Sequence, residues 1–74
     1  ADRTTFEYTL PETQPVRVRV YDLLGRVVAT LVDEVQPAGT YRVTFRAEGL
    51  SSGIYVYRLE TPSGIFARKM MIVR

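Results

Sequence analysis

Seventy-four residues with 46% apolar and 24% charged content describe one soluble-type globular module, too short to bury more than about 60% of its unfolded surface and ordinary enough that neither disorder nor a membrane class is favoured. The net charge of +2 is small, and with no cysteine there is neither a disulfide framework nor a thiolate metal site. No apolar run nears the ~18 residues of a membrane span. The start Ala1-Asp2-Arg3-Thr4 is no signal peptide, so a secreted fate would need a signal on a longer parent. The chain is expected to be a single domain, 1–74, excised from such a protein.

In chain order, Thr4 to Leu10 alternates Phe6, Tyr8 and Leu10 against Thr5, Glu7 and Thr9, the period-two pattern of a strand with an aromatic inner face. Pro11 closes it, and Glu12 to Pro15 reads as a short polar connection. Val16 to Val32 is the most patterned stretch. Its alternating valines, Val16, Val18 and Val20, define a core face opposite Arg17 and Arg19. Asp22-Leu23-Leu24-Gly25 then has the chemistry of a type I turn followed by a left-handed residue, so a bulged hairpin is predicted. That hairpin would set Val20 opposite Val28, Val18 opposite Thr30 and Val16 opposite Val32.

Asp33 to Gly39 reads as a longer loop ending in a Pro-Ala-Gly turn. Thr40 to Arg46 alternates again, with Tyr41, Val43 and Phe45 inward and Arg42, Thr44 and Arg46 outward. Ala47 to Gly53 is a glycine-punctuated loop in which Leu50 is expected to plug the end of the core. Ile54 to Glu60 carries Tyr55, Tyr57 and Leu59 on one face; Thr61 to Gly64 is a turn, and Ile65 to Val73 is the last strand. Nowhere does a 3.6-residue period run far enough for a helix. The fold class is therefore all-β: an Ig-like antiparallel β-sandwich of six or seven strands, with an open barrel as the alternative.

Chemistry is sparse. Histidine is absent, which removes the commonest general base and metal ligand. Ser51, Ser52 and Ser63 all fall in turns, and the five glycines are isolated, so no phosphate-binding loop appears. Asp33 and Glu34 are the one adjacent carboxylate pair. A catalytic pair or a calcium site there is conceivable, but a solvated loop is the simpler reading. Nine arginines to one lysine is an unusual basic composition. Their spread along strands points to a solvated sheet face instead of a nucleic-acid patch. Tyr41, Tyr55 and Tyr57 could stack on sugars or bases, although alternating tyrosines more often pack. No enzyme, cofactor, metal site or nucleic-acid partner is expected.

Thr5-Phe6-Glu7-Tyr8-Thr9-Leu10-Pro11-Glu12 and Val20-Tyr21-Asp22-Leu23-Leu24-Gly25-Arg26-Val27-Val28-Ala29-Thr30-Leu31-Val32, then Pro37-Ala38-Gly39-Thr40-Tyr41, Gly49 to Leu59, and Arg68-Lys69-Met70-Met71-Ile72-Val73-Arg74, form an ordered series. It resembles the type A C-terminal sorting domain of type IX (Por) secretion cargo, and is similar to the Ig-like module of flagellar hook-capping proteins. The resemblance covers nearly the whole chain. It implies a non-catalytic module that directs a larger cargo across the outer membrane to the cell surface. The implied partners are an outer-membrane translocon and a surface sortase, with anionic lipopolysaccharide joined to the processed cargo and no insertion of the module into the membrane.

Such domains usually open with an Asn-Pro-Phe-type segment that this chain lacks, so the sortase cleavage site is expected upstream of Ala1. An Ig-like carbohydrate-binding or adhesion module is the alternative. Arg68, Lys69, Met70, Met71, Ile72, Val73 and Arg74 are the expected partner-recognition residues, because a strand edge is a template for pairing. The same residues could equally be a last core strand with solubilising ends. Removal of Lys69 to Arg74 is expected to abolish export.

Overall fold

The computed structural model describes residues 3–73. Six strands and no helix are found among them: β1 Arg3–Leu10, β2 Gln14–Tyr21, β3 Val27–Gln36, β4 Gly39–Arg46, β5 Gly53–Thr61 and β6 Gly64–Ile72. They form two antiparallel sheets, one of two strands (β1-β4) and one of four (β3-β2-β5-β6). This is the expected all-β, Ig-like sandwich.

β2 is central, paired with β3 on one side and β5 on the other, and its alternation is clean. Val16, Val18 and Val20 are all buried, and Val18 and Val20 are fully so. They join two cores: Val20 packs with Phe45, Ala47, Tyr55, Met70 and Ile72, while Val16 and Val18 pack with Tyr8 and Leu10. Leu31 touches both. Leu50 packs against the Val20 core, as its place in a polar loop suggests. β2 pairs with β5 only from Arg17 onward, so the missing N–H of Pro15 interrupts no ladder on that side.

The β2–β3 register departs from the expected one. Val20 faces Ala29, Val18 faces Val32, and Val16 faces Glu34. Two irregularities cause this, between Val18 and Arg19 and between Val20 and Tyr21, leaving Leu31 and Val28 as extra residues on β3. The run Val27 to Val32 does not alternate. Bulges let it turn Val28 with Ala29, and Leu31 with Val32, toward the core in adjacent pairs. They also twist the β3 edge, which discourages pairing with other chains.

Two loop expectations are corrected as well. β2 begins at Gln14, not after Pro15, and β3 runs on to Gln36, so Asp33 to Gln36 are strand residues opposite Arg17 to Gln14. The anchor is polar and therefore hard to read in advance. The buried Gln36 accepts a 2.6 Å hydrogen bond from the Tyr8 hydroxyl, and the buried Gln14 accepts one from Ser63.

Candidate functional site

β6 is an edge strand, paired with β5 from Gly64 opposite Thr61 to Ile72 opposite Gly53. The alternation of its sequence splits the expected recognition residues between two faces. Met70 and Ile72 are buried in the core. Lys69, Met71 and Val73 are exposed, Met71 at 68% and Val73 at 57%. Arg68 has the parity of the core residues, but the two-stranded sheet does not reach over it. It borders, with Phe66, a cleft of about 500 Å³ beside β1 whose floor includes Phe6, Tyr57 and Leu59. Arg74 lies outside the described residues. Arg68 and Lys69 make no ion pair among the described residues.

The outer face of the four-stranded sheet is an arginine ladder. Glu60 receives Arg58 at 2.8 Å, Arg19 at 3.4 Å and Arg17 at 3.8 Å, and the Arg19 and Arg58 guanidiniums lie over the Tyr21 ring, 5.4 and 5.2 Å from its centre. One carboxylate and one aromatic face thus hold three cations. Asp33 pairs with Arg17 at 3.7 Å. Among the described residues no three acidic, histidine or cysteine side chains gather as a metal group would require.

The tyrosines pack. Tyr55 is buried and donates to the Ser51 carbonyl, Tyr41 stacks on Tyr8 and donates to the Pro37 carbonyl, and Tyr57 stacks on Phe6. Burial pushes the Tyr8 hydroxyl above its usual pKa, only partly offset by its bond to Gln36.

The β2–β3 turn has the expected form. The Gly25 N–H donates to the Asp22 carbonyl at 3.1 Å and Gly25 sits at φ +85°, a left-handed conformation that suits glycine. One oxygen of the Asp22 carboxylate accepts from the Leu24 N–H at 2.9 Å and the Arg26 N–H at 3.0 Å, and the other from Arg26 Nε at 2.8 Å. These bonds, the Arg26 backbone bond first, hold Asp22 below the usual carboxylate pKa. What sequence reasoning missed is the exposure of Leu23 and Leu24 on that turn. The signal was available: apolar residues at positions that favour polar ones.

The described residues form a small all-β module with an edge strand, β6, beside which Arg68 and Lys69 have no carboxylate partner among the described residues. A model of the secretion system C-terminal sorting domain matches residues 1–73, and the chain belongs to that family. It is a sorting domain of the type IX route, which marks proteins for passage across the outer membrane to the cell surface. Domains of this kind interact with the secretion machinery and are in general non-catalytic. No curated protein and no solved structure matches the chain.

Proposed function

We propose that the chain is the address of a larger secreted protein, that it performs no catalysis itself, and that the outer-membrane translocon reads it along β6. In this reading Arg68, Lys69, Met71 and Val73, with Arg74 beyond them, meet the machinery, while Met70 and Ile72 hold the strand in place. A surface sortase then processes the cargo, and anionic lipopolysaccharide is joined to it. The observation that carries the reading is an edge strand with two cations, Arg68 and Lys69, that have no carboxylate partner among the described residues. A strand edge offers backbone donors and acceptors for strand addition, and side-chain charge selects the partner.

The test fuses the domain to the C-terminus of a secreted reporter in a bacterium using this export route. The wild-type fusion is expected at the cell surface and the R68E/K69E fusion in the periplasm. A wild-type fusion that stays inside the cell refutes the sorting role for this chain; normal export of R68E/K69E refutes the assignment to β6.

A further inference from the structure

The edge reading leaves one apolar feature unused. Leu23 and Leu24 occupy the two central positions of the β2–β3 turn and are 66% and 79% exposed. Turn geometry does not ask for leucine at either position. The turn is also rigid: besides the three bonds to the Asp22 carboxylate, the Asp22 N–H donates to the Arg26 carbonyl at 3.0 Å. Apolar side chains on a backbone already held in place lose little freedom when a partner buries them.

The two leucines do not stand alone. Tyr21 faces Val27 on β3 and Val56 on β5, and Ile54 faces Met71 on β6. The turn follows directly on Tyr21, so the same end of the outer face presents Val27, Leu23, Ile54 and Met71 across the four strands. Val73 extends the row past the end of β6, and all of these side chains are exposed. Leu23 also shares a depression with Tyr21, Val56 and Arg58. Contiguous exposed apolar surface on a small domain marks an interaction site.

Charge decides between a membrane and a protein. Each Lys or Arg held near an anionic lipid surface adds to the attraction, and clusters of about 4–8 of them are the pattern that reads as lipid binding. Here Arg26 is held by Asp22 and Arg58 by Glu60. Lys69 is the cation beside the row that has no carboxylate partner among the described residues. We infer that the Leu23–Leu24 tip, continued by Ile54, Met71 and Val73, docks on a protein of the secretion machinery, the two leucines entering an apolar pocket of that partner. The inference rests on the sorting role for the class of partner, and it adds a second contact to the β6 edge.

The reporter fusion tests it with L23S/L24S, and with V35S as a control, because Val35 is 65% exposed at the opposite end of the sheet. L23S/L24S is expected to lower surface reporter at least tenfold and strand it in the periplasm. The purified chain with those substitutions should melt within about 2 °C of wild type, as surface changes do. V35S is expected to export normally. Wild-type export by L23S/L24S overturns the inference and leaves the sorting role intact. Failure of the unsubstituted domain to export the reporter overturns both. Sedimentation of the chain with phosphatidylglycerol vesicles, or a dimer in solution, that is lost in L23S/L24S also overturns it, by giving the tip to a lipid surface or to a second copy.

Discussion

The ring of Phe6 on β1 lies flat on the ring of Tyr57 on β5, centroids 4.2 Å apart and planes 8° from parallel. This contact ties the two-stranded sheet to the four-stranded one from midway along β1, where Phe6 faces Val43. A double-mutant cycle with F6A and Y57A should return a coupling of about 1 kcal/mol beyond the loss of buried area. Urea midpoints of the four proteins measure it, and additive effects would show that the rings merely lie near each other.

Tyr8 and Gln36 make the second tie between sheets, at 2.6 Å in a buried setting. Y8F leaves the Gln36 oxygen without that donor and should cost about 1–3 kcal/mol. The pH dependence follows from the raised Tyr8 pKa. A group whose folded pKa lies above its unfolded value stabilises fully below the unfolded value, here about 10, and that share is lost as pH rises through the folded pKa. Wild type should therefore lose its advantage over Y8F between about pH 10 and the folded pKa above it, read as melting temperature against pH.

Asp22 works in the other direction. Its folded pKa is below the ordinary 3.8, so its contribution is present above that value and disappears as pH falls through the folded one. D22N keeps the shape and an acceptor oxygen but not the charge. It should melt below wild type at pH 7, and the two curves should converge below about pH 4. A constant gap down to pH 2 would mean that the charge of Asp22 does not stabilise the turn.

Gly25 at φ +85° has no atom within 4 Å of where a Cβ would stand, so G25A tests backbone strain alone. It should cost about 1–2 kcal/mol, and G25N less, since asparagine tolerates the left-handed region. Chemical denaturation distinguishes the two. Equal stability of G25A and wild type would show that the turn can relax.

Loss of export on deleting Lys69 to Arg74 would not by itself report recognition, because the deletion also removes Met70 and Ile72 from the core. Each such loss is worth about 2–5 kcal/mol, against about 4–11 kcal/mol of total stability for a chain of this length. The truncated chain should be unfolded by circular dichroism at 25 °C. If it folds, lost export can be read as lost recognition.

Much of the fold is written locally. Alternation in Val16 to Val20 settles which face of β2 is buried, since side chains on a strand point alternately to either side. Asp22 and Gly25 settle the turn through hydrogen bonds within a few residues, and the alternation of Arg68 to Val73 puts Met70 and Ile72 on the face opposite Met71. What only the tertiary structure decided is non-local. β1 pairs with β4 across 29 to 43 residues of sequence, from Leu10 opposite Gly39 to Arg3 opposite Arg46. β3 is bulged because a non-alternating run must pack against a core assembled from other strands. β6 becomes an edge only because every other place in its sheet is taken, and Leu23 with Leu24 is exposed only because no strand passes over the turn. Periodicity encodes the face a residue prefers; which neighbour covers that face, and which is left open to a partner, is fixed when the two sheets close on each other.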